Sequence, residues 1–290
     1  MLKRKIKSRL YNIYKSKLSG SFRLSSFPYI SGDTIRNQCN HIYDELKNFN
    51  PKKIATNDFI FVKADLLDNY FKEIHPRIKK KYNLISHNSD AAINKNFKRY
   101  LDEFIIKWFA QNIEEKFSEK LVFIPIGLEN RWYFKNGRIS HFKNISNKKN
   151  SKEFLIHSSF SVETHPERIK TYESLINNNL ILFNNIKNID NYLDILSKSF
   201  FNICPRGNGW DTHRIWESLI FNTIPVVKND KFTTVLKDNN IPMLIVENWD
   251  ELNSYTQSEL IDIYSKIAER GDMSIFSSYE YWKNIIGFKN

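Results

Sequence analysis

The chain reads as an α/β protein made of two doubly wound parallel sheets facing a cleft, and three observations predict it. Short apolar runs alternate with stretches of helical spacing along most of the 290 residues, the pattern of open parallel sheets. An Asn/Ser/Lys cluster at residues 144–151 interrupts that alternation, as a linker between two lobes does. Residues 200–228 then put a strand, a glycine-bearing turn, a helix and a second strand into one βαβ unit, and such sheets bind ligands beyond the carboxyl ends of their strands.

Residues 1–32 form a basic segment. No acid precedes Asp33, whereas Lys3, Arg4, Lys5, Lys7, Arg9, Lys15, Lys17 and Arg23 all do. Leu2, Ile6, Leu10 and Ile13 recur at helical spacing among those cations, so residues 1–20 suit a basic amphipathic helix in peripheral contact with an anionic membrane. A solvated tail, or a helix packed on the body, is the alternative.

Residues 33–147 make the first lobe. Its expected elements are a helix at 34–49, a strand at 59–62, a helix at 66–74, a strand at 82–86, a helix at 97–112 and a strand at 121–126; each strand is a short apolar run and each helix has mixed apolar and polar spacing. The second lobe, residues 148–274, continues with strands at 154–158, 180–183, 200–204, 224–227 and 243–246. Helices at 165–176, 192–199, 232–238 and 257–269 connect them, with one more after the glycine turn. The aromatic residues 275–290, around Tyr279 and Trp282, are expected to pack back onto the first lobe.

Composition narrows the class. Aromatic residues at 14% supply a core, and Gly 8 with Pro 8 excludes a fibrous or low-complexity chain. Cys39 and Cys204 fall in different halves and in no Cys/His cluster, which points to a reducing compartment without a disulfide framework or zinc site. No apolar run is long enough to cross a bilayer and the start lacks the apolar core of a secretory signal, so the expected location is cytoplasmic, peripheral on the membrane face. The net charge of +12 admits a nucleic-acid binder, but no helix-turn-helix, zinc finger or aromatic RNA-binding signature accompanies it.

The unit FFNICPRGNGWDTHRIWESLIFNTIPVVK carries the chemistry. Pro205, Gly207 and Gly209 end its first strand, and Asp211 or Thr212 caps the helix that follows. Unpaired N–H groups and a positive dipole there favour an anion, with Arg206 and Arg214 adding full charges. Arg214, Glu217 and Ser218 are spaced by three and four residues, so they share one helix face. Glu217 among cations suits a ribose diol, which donates hydrogen bonds to a carboxylate. An ordinary surface pair of Arg214 and Glu217 is the plain alternative.

These residues resemble the C-terminal signature of exostosin-like glycosyltransferases: Pro205-Arg206-Gly207, then Arg214 and Glu217 on a helix, then Ile224-Pro225-Val226. His213 stands where that family often has a small hydroxyl residue, and Asn222-Thr223 replaces its glycine-containing turn. A fainter likeness runs to the α1,3-fucosyltransferases. The resemblance implies a GT-B fold and a nucleotide-sugar donor, UDP- or GDP-linked, on the second lobe. It carries roles over to three residues only: Arg206 and Arg214 would meet the diphosphate and Glu217 the ribose. Gly207, Asn208, Gly209, Thr212, His213 and Ser218, on the turn and helix around them, are further expected donor contacts.

An acceptor, a polysaccharide or lipid-linked glycan, is then expected on the first lobe. Ser86-His87-Asn88-Ser89-Asp90 ends a strand there; Asp90 is the first choice of base and His87 the second, although short polar residues also cap helices. Asn88, Glu129 and Arg131 are expected acceptor contacts, and Arg168, in the first turn of a helix, a second diphosphate contact. No Asp-x-Asp motif stands in the chain, so no metal is expected; arginines and a helix dipole neutralise a leaving nucleotide. A noncatalytic glycan-binding protein is the alternative of another class.

Overall fold

A computed structural model describes residues 23–289 except 134, 149, 185 and 187; the basic stretch 1–20 lies outside the described residues. Two five-stranded sheets, every pair parallel, organise it. The first holds β1 (His41–Tyr43), β2 (Phe59–Lys63), β3 (Tyr82–His87), β4 (Ile105–Ala110) and β5 (Leu121–Phe123) in chain order. The second holds β6 (Phe154–Ser158), β7 (Ile181–Phe183), β8 (Ser199–Ile203), β9 (Ile224–Lys228) and β10 (Leu244–Val246), in the order β10-β9-β8-β6-β7. Strand order in the second sheet therefore reverses between β6 and β8.

Burial explains why apolar runs became strands. Ile60, Phe61 and Val62 of β2 are all fully buried, as expected where both faces of a parallel sheet are covered. The helices are α1 (Gly32–Arg36), α2 (Leu67–Asn69, continued by the π turn Tyr70–Ile74), α3 (Ile139–Ser146), α4 (Pro166–Leu175), α5 (Ile189–Ser197), α6 (His213–Ile220), α7 (Lys231–Asp238), α8 (Gln257–Ala268) and α9 (Tyr279–Ile286).

Two expected helices are corrected. Residues 34–49 give only the short α1 before Ile42 enters the first sheet. Asp44 instead folds back onto Arg36 Nε at 2.7 Å and Arg23 Nη2 at 3.4 Å, a buried ion cluster that sequence spacing does not announce. Residues 97–112 split into a 3-10 turn, Lys95–Tyr100, and β4. Asp102 accepts from the N–H groups of Phe104 and Ile105, ending the helical turn, and Trp108 and Phe109 then bury as strand residues, tertiary packing overriding a helical pattern.

Helix α9 covers the seam between the sheets. Trp282 meets Phe123 of β5 at 5.7 Å and Trp216 of α6 at 6.1 Å between ring centroids, both edge to face. Phe288 meets Phe59 at 4.7 Å, and Tyr279 N donates to Pro28 O at 2.8 Å. One apolar core thus runs through both halves. Among the described residues no helix is long and apolar enough to cross a membrane.

Candidate active site

The reversal between β6 and β8 is a topological switch point, where the loops leaving neighbouring strands part and open a crevice. Arg168 of α4 stitches those loops. It is buried; its Nε donates to Arg206 O at 2.8 Å, Nη2 to Pro205 O at 3.4 Å and Nη1 to Ser161 O at 3.3 Å. Burial, then the charge of Arg214, lower its guanidinium to about 10. Its expected role on a diphosphate is corrected: its donors are engaged by backbone carbonyls, and it shapes the loop.

The glycine turn answers to packing. A Cβ on Gly207 would lie 3.2 Å from Arg168 Nη2, and one on Gly209 would lie 2.8 Å from Asn112 Nδ2. Asn112, just past β4, also accepts from Asp211 N at 2.8 Å, so Gly209 lets the two halves close. Asn208 is exposed and gives its carbonyl to Arg206 Nη2 at 3.2 Å. Arg206 itself stacks over Trp210 at 3.8 Å and lines neither of the two cavities described next.

Helix α6 begins at an extended Thr212 whose buried hydroxyl has no partner and does not cap the first turn. From this helix Arg214 and Glu217, three residues apart, reach one cavity of about 170 Å³ together with Glu129, Ser159, Tyr192 and His213. Arg214 Nε donates to Ser159 O at 2.9 Å. Tyr192 donates its hydroxyl to Glu217 Oε2 at 3.0 Å, fixing a carboxylate that is 6% exposed. Burial raises the Glu129 carboxyl; His213 draws it down and Glu217 pushes it up. Glu129, expected on the acceptor side, therefore faces Glu217. Ser218 is corrected outright: fully buried, it donates to Arg214 O and accepts from Asn202 Nδ2 inside the lobe.

A second polar cavity, about 320 Å³, lies at the carboxyl end of the first sheet, lined by Lys63, Asp65, His87, Asn88, Ser89, Asp90, Gln111, Asn130 and His213 among others. Asp90 is exposed at its edge. Asn88, with φ +61°, donates Nδ2 to Asp33 Oδ1 at 3.0 Å and accepts at Oδ1 from Asn130 Nδ2 at 2.8 Å. His87 is corrected as a base. Its Nε2 lies 2.9 Å from Pro125 O, its Nδ1 accepts from Asn88 N at 2.7 Å, and burial lowers it to about 4, so it is a neutral strut with both nitrogens occupied. Arg131 is corrected too: Nη1 donates to Ser25 O at 3.0 Å, away from both cavities.

His213 lines both cavities, and its Nδ1 lies 2.7 Å from Gly127 O. Expected in the donor set, it stands instead at the junction of the two cavities. The sequence carries no signal for Asn130, Gln111 and Tyr192 beyond their polarity. Among the described residues no group of three or more His, Cys, Asp or Glu could hold a metal ion.

Residues 148–287 match the family model described as the RXYLT1 C-terminal domain. Human ribitol-5-phosphate xylosyltransferase 1 is 28% identical over 117 residues, 36% of this chain and 26% of that protein, and the mouse protein of the same name is 28% identical over 119 residues with the same coverage. The chain is similar to ribitol-5-phosphate xylosyltransferase 1. The aligned part spans about a quarter of those relatives. Among solved structures, a UDP-forming trehalose-phosphate synthase from Burkholderia xenovorans gives a TM-score of 0.45 at 10% identity over 96% of this chain and 84% of that one. A glycosyltransferase from Rickettsia africae gives 0.42 at 18% identity over 80% and 76%.

Proposed function

We propose that this protein is a glycosyltransferase that moves a pentose, xylose first among candidates, from a nucleoside diphosphate to a polyol-phosphate unit of a growing glycan. One observation carries the reading: Arg214 and Glu217 share a small cavity that adjoins, at His213, a larger polar one on the other sheet. Two reactants need two such places. Similarity to ribitol-5-phosphate xylosyltransferase 1 supports the choice of pentose and acceptor, and the exostosin-like motif supports the donor.

On this reading Arg214 and the N-terminus of α6 offset the charge that develops on the departing diphosphate. Glu217, held by Tyr192, accepts from the ribose diol, and Glu129 from the sugar. Asn88, Asn130, Gln111 and Asp90 bind acceptor hydroxyls, while Lys63 in the same cavity, paired with Asp65 at 3.2 Å, would exchange that partner for an acceptor phosphate. The reaction needs no metal. Residues 1–20 would hold the enzyme, in the cytoplasm, against an anionic membrane bearing a lipid-linked acceptor.

The test is incubation with UDP-xylose or GDP-xylose and ribitol 5-phosphate, with EDTA present, reading released nucleotide and the pentosylated product by mass spectrometry. Product formation that needs Arg214 and Glu217 upholds the reading. Failure of UDP, GDP and their sugars to bind at all overturns it in favour of a noncatalytic glycan binder.

A further inference from the structure

We propose, resting on the glycosyl-transfer reading, that His213 is the base that takes the acceptor hydroxyl proton. Placement comes first. His213, the opening residue of α6, is common to the cavity of Arg214 and Glu217 and to the cavity of Asn88 and Asp90, so its ring stands where an acceptor oxygen must approach a donor sugar.

Its tautomer follows from one hydrogen bond. The partner of Nδ1 is a carbonyl oxygen, Gly127 O at 2.7 Å, and a carbonyl only accepts. Nδ1 therefore carries the hydrogen, and a neutral ring keeps its lone pair on Nε2. Nε2 has no protein partner among the described residues. The carbonyl is itself held in place. Gly127 has φ +64°, a Cβ there would meet Ile30 O at 2.2 Å, and Leu128 N donates to that same oxygen at 2.9 Å. A side chain at residue 127 would displace the strut that aims the imidazole.

The other candidates fit less well. His87 has both nitrogens engaged in the interior. Asp90 is solvent-exposed at the outer edge of one cavity and does not line the other. The charged and titratable groups around His213 are Glu129, Glu217, Arg214 and Tyr192 on one side and Lys63, Asp65, Asp90, His87 and Tyr133 on the other.

The step balances. The acceptor O–H proton passes to Nε2 as the oxygen forms its bond to the anomeric carbon of the donor sugar. The bond from that carbon to the diphosphate oxygen breaks, its electron pair leaves with the nucleoside diphosphate, and the imidazolium later returns its proton to water. An in-line displacement of this kind inverts the anomeric centre.

The experiment compares His213→Asn and His213→Ala with the wild type. Asparagine can still donate to Gly127 O and so preserves any structural role, but it offers no Nε2. The expected result is unchanged nucleotide affinity in His213→Asn with kcat lower by about a hundredfold or more, KM nearly constant, and partial rescue of His213→Ala by added imidazole. The wild-type pH–rate profile should show a basic group whose limb disappears in both variants. A wild-type kcat in His213→Asn overturns the proposal, as does loss of turnover in Asp90→Asn together with retention in His213→Asn. Long-range 1H–15N spectra of the ring give a readout that needs no turnover: a dominant Nε2–H tautomer also overturns it. A wild-type protein that binds no nucleotide sinks the transferase reading instead, and the two failures are thereby told apart.

Discussion

Asp211 accepts the N–H of Ile126 on its Oδ2 at 2.6 Å and so ties the α6 turn of the second half to the strand end of the first. Its Oδ1 accepts from Trp216 Nε1 at 2.8 Å, and burial pushes its carboxyl up to about 7 against the pull of those donors. One buried side chain thereby connects the helix that carries Arg214 and Glu217 to the loop that carries Gly127 and Glu129.

Asp211→Asn should therefore cost about 1–3 kcal/mol, because a carboxamide turns its NH2 toward one of two N–H donors and leaves a buried group unpaired. Urea unfolding measures it. A change under about 0.5 kcal/mol, the usual size at an uninvolved surface site, would show that the connection contributes little.

Gly209 and Asn112 should behave as one unit. Adding a methyl group at residue 209 pushes on Asn112 Nδ2, so Gly209→Ala should destabilise by about 1–3 kcal/mol. In Asn112→Ala the obstruction is gone and the same methyl should cost less. A double-mutant cycle reads the difference, expected at about 0.5 kcal/mol or more; strict additivity would mean the contact is relieved elsewhere.

Stability should depend on His157 as pH falls. This ring is fully buried in β6, and burial, then the charge of Arg214, hold it down at about 4 against the ordinary 6.5. Between those values the unfolded chain binds a proton that the folded one refuses, so stability is lost as pH falls through that window. Asp211, raised from 3.8 to about 7, acts in the opposite sense and loses stability as pH rises. His157→Gln should flatten the acid side by up to about 1.4 kcal/mol per pH unit, measured by urea titrations from pH 4.5 to 6.5. An unchanged slope contradicts the assignment.

Lys152 closes the C-terminal end of α6. Its Nζ donates to Ser199 O at 2.7 Å, Phe221 O at 3.0 Å and Thr223 Oγ1 at 2.9 Å, and burial lowers it to about 7. Lys152→Met keeps the stem but removes the donor to Phe221 O and Thr223 Oγ1, while Ser199 O retains the Thr223 hydroxyl; this should cost about 1–3 kcal/mol and weaken nucleotide binding through α6. Thermal unfolding with nucleotide titration checks both; wild-type stability would mean that water replaces the ammonium.

The second half was legible because its periodicity is local. The apolar strand 200–204, the stop at Pro205, and the spacing of Arg214 and Glu217 state in sequence what β8 and α6 do in space. The first half was less so. Trp108 and Phe109 sit in a stretch whose spacing also suits a helix, and only their burial between other strands decides for β4. Charge misled at the site for a related reason. Arg168 and Arg206 look like anion binders in sequence and Arg131 like a sugar contact, but a guanidinium can equally bind backbone carbonyls or an indole face, and which it does depends on loops that meet only after folding.

On the proposed reading, the α6 crevice holds a nucleoside diphosphate through Glu217. Calorimetric titration of UDP and GDP, each with its 2′,3′-dideoxy analogue, into wild type and Glu217→Gln tests it most directly. One ribonucleotide should bind the wild type at least about tenfold more tightly than its dideoxy analogue, a difference of about 1.4 kcal/mol, and the variant should not distinguish the two. Equal binding of both by the wild type, or discrimination that survives in Glu217→Gln, would contradict it.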